Sequence, residues 1–188
     1  MTTPRGFRAT WPAMLALMLA GQVSAQQVVT GKNRPPTRIE PATEDSVREV
    51  VFRNLIDRDH AGLARMTTAF CVGLSRDEFL KPANPTDRRD VAEPLFTQLR
   101  DETRRPLRNA SECTYSMAGV RSAQAKERAL LYNLGAIRWV DANRAEVAAA
   151  YYSDGFGSAG YTFTVTRISD EWKVRHWRTE WNAPAGKE

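Results

Sequence analysis

The C-terminal strand predicted by the sequence carries the side chains with the most obvious chemical potential. His176, Arg178 and Glu180 alternate along it, so a period of two places all three on one face. An imidazole titrates near neutral pH, and the two charged neighbours could tune it, which makes His176 a candidate acid or base. The alternative is that the three side chains lie at an exposed end of a sheet. Proton transfer would also need a second acid or base paired with His176, and the sequence indicates no such pair.

Tryptophans mark the two faces of the same strand. Trp172 and Val174 share the predicted face of His176, and they need burial, so this face is expected to lie beneath a helix. Trp177 and Trp181 fall on the other face. Two exposed tryptophans on one face would form an apolar patch, which is typical of a partner-binding surface. The strand therefore offers candidate catalytic residues and candidate binding residues.

A glycine motif precedes the predicted strand at Tyr161–Ile168. Residues Gly155–Gly160 match G-x-G-x-x-G, the fingerprint of dinucleotide-binding proteins. That fingerprint requires a helix to follow, because the pyrophosphate binds at the helix N-terminus. The aromatic and β-branched residues that follow indicate a strand instead. The glycines are predicted to form a hairpin loop or bulge with positive φ angles, and no cofactor is predicted.

Two acidic residues flank an arginine beside His60, in the run Asp57-Arg58-Asp59-His60. A metal site needs several ligands that converge on one point, and the chain has one other histidine. The sequence contains neither H-E-x-x-H nor a calcium-loop pattern. A solvated helix end is the better interpretation, and no metal is predicted.

Arginines recur four residues apart in the middle of the chain. The set comprises Arg100, Arg104 and Arg108, with Arg88, Arg89 and Arg105 nearby. Such a face could bind a polyanion, for example a phosphorylated surface glycan. Acidic residues lie among the arginines, however, and no aromatic residue is interleaved for base stacking, so nucleic acid is not predicted. A solvated, internally paired face is favoured.

Residues 1–25 have the features of a secretory signal peptide. Arg5 and Arg8 precede a short apolar run, Trp11–Ala20, and small residues follow up to Ala25. The run is too short to span a bilayer, and no other run is longer, so no transmembrane segment is predicted. Cleavage after Ala25 would remove two of the 27 basic residues, leaving 25 against 22 acidic ones and a net charge of +3. The expected location is periplasmic or secreted.

The chain contains two cysteines, Cys71 and Cys113. In an oxidising compartment a lone pair of cysteines usually forms a disulfide. In the chain-entropy model, closing the loop between the two cysteines would stabilise the fold by about 4 kcal/mol. The alternative is two buried thiols.

The remaining sequence predicts one domain at residues 43–182, after a flexible linker at 26–42 and before a disordered tail at 183–188. An amphipathic helix is expected from Thr43 to Asp59. Four strands are expected at Ala129–Trp139, Ala145–Tyr152, Tyr161–Ile168 and Trp172–Trp181. Short turns between them force antiparallel pairing. The predicted fold class is α+β, with a four-stranded antiparallel meander packed against the N-terminal helix.

This order of elements resembles the NTF2-like and cystatin-like superfamily. The closing hairpin, Tyr161–Val165 followed by Asp170–Val174, carries the likeness. Short pieces also resemble a set of exported bacterial proteins of unassigned function: Phe70–Gly73, Ser111–Cys113, Ile137–Trp139, Ala145–Val147, Tyr151-Tyr152 and Trp172–Val174. The superfamily includes enzymes, binding domains and adaptors, so the resemblance implies a fold and no particular activity. It also implies a concave sheet face that meets the helices and often forms a pocket.

Two functions remain open on the sequence alone. The first is a non-enzymatic binding or structural domain of the cell envelope, with an envelope protein, a surface polymer or a small ligand as its partner. The alternative is an NTF2-like enzyme, an isomerase, cyclase or hydrolase of a small apolar molecule, with a pocket around His176. A cavity of several hundred cubic ångströms between helix and sheet, with His176 at its base, would distinguish them.

Overall fold

The computed structural model of the protein describes residues 41–58, 63, 65–82, 87–116, 119–153 and 157–184. The predicted signal peptide and residues 26–40 of the predicted linker lie outside this part. Two α-helices are described, α1 (Pro41–Asp57) and α2 (Glu93–Glu102). The strands are β1 (Ala69–Leu74), β2 (Leu107–Asn109), β3 (Cys113–Ser116), β4 (Gly119–Ser122), β5 (Ala129–Asp141), β6 (Arg144–Tyr152), β7 (Ser158–Ile168) and β8 (Glu171–Ala183).

The main sheet has six strands in the order β2–β1–β5–β6–β7–β8. Strand β1 runs parallel to both β2 and β5, whereas β5 to β8 pair antiparallel with their neighbours. A second, antiparallel sheet consists of β3 and β4. The predicted fold class, a four-stranded antiparallel meander on one helix, is therefore wrong. The four predicted strands exist and are neighbours, but two parallel strands, a second helix and a second sheet complete the architecture.

Strand β1 explains why the sheet is larger than predicted. Its sequence, Ala-Phe-Cys-Val-Gly-Leu, is an unbroken run of apolar or small residues, and all but Leu74 are buried. A strand that is buried on both faces is typical of a central position in a parallel arrangement. Parallel neighbours require a long crossover connection, and α2 lies in the connection from β1 to β2. No local signal names β5 as the partner of β1, because their paired residues lie about 60 positions apart.

Both helices pack on one face of the main sheet, called here the helix face. Helix α1 buries Val47, Val51, Phe52 and Leu55 against it, at the spacing of one helical stripe. Helix α2 begins with a proline in its first turn and buries Leu95, Phe96 and Leu99. The two helices are joined by an ion pair of 2.5 Å between Arg53 and Glu102. The main hydrophobic core therefore lies between the two helices and the sheet.

The opposite face of the main sheet, called here the open face, is covered in part by β3 and β4. The predicted disulfide is confirmed: Cys71 of β1 is bonded to Cys113 of β3, with their Cα atoms 6.4 Å apart. The bond lies in a second apolar cluster with Leu131, Val120 and Tyr152. Neither of the two described helices has the length and apolar character that crossing a membrane requires.

Candidate functional site

Strand β8 changes faces part-way along its length because of a β-bulge. Val174 lies opposite Val165 of β7, while His176 lies opposite Thr164, so one extra residue is inserted between them. Trp172 and Val174 pack toward the core, as predicted for the face beneath the helices. The prediction that His176 shares this face is wrong. His176 lies on the open face, and its side chain is exposed.

The other two candidate catalytic residues form a pair that does not include His176. The Arg178 Nε donates a hydrogen bond of 2.6 Å to Glu180, and the Thr162 hydroxyl donates one of 2.5 Å to the same carboxylate. The hydrogen bond from Thr162, helped by Arg178, holds the pKa of the Glu180 carboxyl below its ordinary value, although its slight burial acts the other way. Within the described part of the chain, His176 makes no hydrogen bond or ion pair with either residue.

The two candidate binding residues lie on different faces. Trp177 pairs with Phe163 on the helix face, is half-buried, and has the guanidinium of Arg58 3.8 Å from its ring centroid. Trp181 lies on the open face, where its Nε1 donates a hydrogen bond of 2.7 Å to the Leu80 carbonyl. Trp177 and Trp181 therefore do not form the shared apolar patch that a regular strand would have given.

A segment of irregular chain crosses the open face next to Trp181. This segment, Ser75–Pro82, is called here the strap. The Tyr152 hydroxyl donates a hydrogen bond of 2.9 Å to the carbonyl of Lys81, and burial raises the pKa of that phenol. Phe79 of the strap is 76% exposed. A cleft of about 190 Å³ lies beside it, and its floor is made of small side chains such as Ala148.

A larger cavity, of about 490 Å³, opens between the helices and the sheet. It lies where the C-terminal ends of α1 and α2 approach β1. Its apolar walls come from Ile56, Phe70 and Leu99. Phe70 and Leu99 are almost fully buried by the rest of the protein. His176 lines neither this cavity nor the cleft on the open face.

The rim of the cavity is polar and contains three arginines, Arg53, Arg104 and Arg105. The guanidinium of Arg105 lies 5.5 Å from the ring centroid of Phe70, and one of its Nη atoms donates a hydrogen bond to the Thr67 carbonyl. These contacts hold the Arg105 side chain over the apolar wall. A cation placed over an aromatic ring is stabilised by the quadrupole of that ring.

The other two arginines have unused hydrogen-bond donors. The Nη2 of Arg53 lies 2.6 Å from Glu49 and 2.5 Å from Glu102, but its Nε is buried and has no partner among the described residues. Arg104 is exposed and, in the part of the chain that the structure describes, forms no ion pair or hydrogen bond. The cavity therefore combines an apolar wall with the exposed guanidinium of Arg104, whose donors are available to a ligand.

Sequence reasoning did not find this site, because it interpreted the arginines as one helical face. Helix α2 ends at Glu102, so Arg104 and Arg105 belong to the turn that leads to Pro106. The internal pairing that was expected is present for Arg100, which lies 3.6 Å from Asp101. The local signal was the run Thr103-Arg104-Arg105-Pro106, in which a proline stops the helix just after two adjacent cations.

The glycine motif lies in the β6–β7 hairpin, although Gly155 and Phe156 fall outside the described residues. Gly157 has a φ of 93°, a conformation that favours glycine, and β7 rather than a helix starts at Ser158. Asp59 and His60 of the acidic run also fall outside the described residues. Within the described ranges, no three His, Cys, Asp or Glu side chains are grouped as metal ligands.

Comparisons of the chain with protein-family models, with curated proteins and with solved structures found no match. The resemblance to NTF2-like proteins therefore stays a prediction.

Proposed function

We propose that the protein is an exported, non-enzymatic binding domain that holds a small ligand in the cavity between its helices and its sheet. The observation that carries this proposal is the cavity of about 490 Å³ with apolar walls and a polar rim. Ligand sites in proteins typically have volumes of about 300–1,000 Å³, and the volume of this cavity falls within that range. The cleft on the open face, at about 190 Å³, is smaller than this range.

Export is supported by two independent features of the chain. Residues 1–25 have the order of charged, apolar and small residues that a secretory signal requires. The bond between Cys71 and Cys113 is of a kind that persists in oxidising compartments and is rare in the cytosol. Both features favour a periplasmic or secreted location.

A binding role is favoured over the enzymatic alternative by the position of His176. The alternative requires an acid or base inside a pocket, and His176 is exposed on the face of the sheet opposite the cavity. Arg178 and Glu180 pair with each other and with Thr162, so they satisfy one another instead of acting on the imidazole. A ligand held between the helices and the sheet would not reach these groups.

The neutral probe N-phenyl-1-naphthylamine tests the proposal, because it needs only an apolar cavity. Titration should shift backbone amide resonances near Phe70, Leu99 and Thr103, with saturation at one probe per chain. The variant Ile56→Trp places a larger ring in the cavity and should weaken binding at least tenfold. The matched variant Phe79→Trp changes an exposed residue of the strap and should leave binding within twofold.

The site assignment would be overturned by shifts confined to the open face, or by equal binding to the wild type and to Ile56→Trp. Near-ultraviolet circular dichroism of each variant identifies any that has lost its packed core, since loosened cores also bind naphthyl probes.

A further inference from the structure

We infer that the ligand of the cavity is an organic anion, with an apolar alkyl or aryl body against the cavity wall and one acidic head group at the arginine rim. This inference rests on the proposed function and specifies its ligand. It names a chemical class, carboxylates and sulfonates on an apolar body, because both present the same oxygen acceptors to a guanidinium and carry one negative charge.

The guanidinium of Arg104 is available to an anionic head group. This side chain is exposed at the cavity rim and is without an ion pair or hydrogen bond to the other residues that the structure describes. A neighbouring arginine on the same segment, Arg100, lies 3.6 Å from the carboxylate of Asp101. Arg104 thus keeps all five N–H donors for an external acceptor, and its planar fork fits a two-oxygen head group.

Arg53 has a buried hydrogen-bond donor, its Nε. Its Nε is shielded from water at the cavity wall and has no acceptor among the described residues. A buried donor without a partner costs about 1–3 kcal/mol. A head-group oxygen could accept from this Nε only after the Arg53 side chain shifts enough to expose the atom to the cavity, and an anion would gain more from that hydrogen bond than an alcohol or an amine would.

Arg105 lies where the polar rim of the cavity meets its apolar wall. Its guanidinium is held over the ring of Phe70 and by the Thr67 carbonyl, so it lies directly above apolar surface. A ligand that contacts this guanidinium with its head can place its body against Ile56, which is only half-buried, since Phe70 and Leu99 behind it are almost fully buried. The site consequently requires a molecule that is acidic at one end and apolar at the other.

The charge balance of the rim limits how negative the ligand can be. Three arginines line the cavity with two carboxylates, those of Asp57 and Glu102, and the Glu49 carboxylate 2.6 Å from Arg53 brings the local charge into balance. Because Arg53 is engaged by both glutamates, Arg104 and Arg105 remain opposite Asp57 alone, which suits a head group with a single negative charge. A polyanion would bring further charges against Asp57 and Glu102, so it fits less well.

The probe 1-anilinonaphthalene-8-sulfonate tests the inference, because it is N-phenyl-1-naphthylamine with one sulfonate added. Both probes are titrated into the wild type, Arg104→Glu and a matched charge reversal on strand β8, Arg175→Glu. We expect the sulfonate to bind the wild type at least tenfold more tightly than the neutral probe. Arg104→Glu should remove this preference, while Arg175→Glu should keep it.

The two proposals fail in different ways. Equal affinities of both probes for the wild type, or a sulfonate preference that survives in Arg104→Glu, would overturn the anion inference and leave the cavity as the binding site. Failure of both probes to shift the cavity resonances would overturn the proposed function itself. Arg104 has no partner to lose in the described part of the chain, so Arg104→Glu is expected to fold like the wild type.

Discussion

The indole ring of Trp181 lies against Gly160 across the β7–β8 pair, so closely that a Cβ atom at Gly160 would overlap it. The same indole donates a hydrogen bond to the Leu80 carbonyl and thereby holds the strap on the sheet. Gly160→Ala should therefore destabilise the protein by about 1–3 kcal/mol, because the tryptophan has to move or the strap has to detach. Urea unfolding at equilibrium measures this cost.

A second background separates this contact from a general effect of alanine in a strand. In Trp181→Leu, which lacks the indole, the further change Gly160→Ala should cost at least 1 kcal/mol less than in the wild type. Equal costs in the two backgrounds would show that the close approach of the ring is not what requires glycine.

The disulfide is expected to contribute substantially to stability, because it ties the buried central strand β1 to the small second sheet. Replacing Cys71 and Cys113 together by alanine should lower the free energy of unfolding by about 2–5 kcal/mol. A reducing agent should lower the stability of the wild type by a similar amount and leave the double variant unchanged. A loss below about 1 kcal/mol would mean that the loop is already constrained by other contacts.

The bulge in β8 predicts opposite behaviour for two adjacent residues. His176→Ala should change the free energy of unfolding by less than about 0.5 kcal/mol, because the side chain is exposed and has no hydrogen bond to a described residue. Trp177→Ala should cost about 1–3 kcal/mol, because it removes a half-buried ring and its contact with Arg58. Thermal and urea unfolding of both variants check the pair. A larger cost for His176→Ala than for Trp177→Ala would contradict the assigned register.

The antiparallel half of the sheet was predictable because its signals are local. Ser169 and Asp170 both have positive φ angles in a two-residue turn, the geometry that joins hairpin strands, and Asp141 caps the preceding turn through the Asn143 amide. The disulfide between Cys71 and Cys113 was predictable because these are the two cysteines of the chain.

The rest depends on contacts between distant residues. The pairing of Cys71 in β1 with Leu131 in β5 is set by how the core packs, and no local pattern encodes it. The bulge at Arg175 moves His176 to the other face, and a regular period of two cannot show this. The proposed ligand site contains Arg53 of α1 and Arg104 of the turn after α2, and these two residues line one cavity only when both helices pack on the sheet.

The carboxylate of Glu180 is expected to give the stability a dependence on acidic pH. Its pKa is lower in the folded protein than in the unfolded chain, so its contribution is present above the unfolded pKa and is lost as the pH falls through the folded pKa. Glu180→Gln should be less stable than the wild type at pH 7, by at most about 1 kcal/mol since the pair is exposed, and the difference should vanish once the pH lies below the folded pKa. Carboxyl NMR titration checks the pKa directly. In Thr162→Val the pKa of Glu180 should rise, and an unchanged value there would remove the hydrogen bond as the cause.

The last prediction concerns Asp57, which occupies an unfavourable position at the end of α1. The last turn of this helix contains no basic residue, and a carboxylate near a helix C-terminus is repelled by the helix dipole. Asp57→Asn should therefore raise the free energy of unfolding by about 0.3–1 kcal/mol. A charge that destabilises a protein this little can persist because it has no effect on function, or because the function requires it.

Asp57 also lines the cavity beside the arginine rim, so its removal should affect ligands according to their charge. Asp57→Asn should bind the naphthyl sulfonate several-fold more tightly than the wild type does and bind the neutral probe equally well, because only the anion is repelled by the carboxylate. Asp101→Asn is the matched control, since Asp101 lies near the end of α2 but does not line the cavity. It should leave both affinities within twofold. If Asp57→Asn increased the affinities for both probes equally, Asp57 would act through the shape of the cavity. The charge at the rim would then not select the ligand.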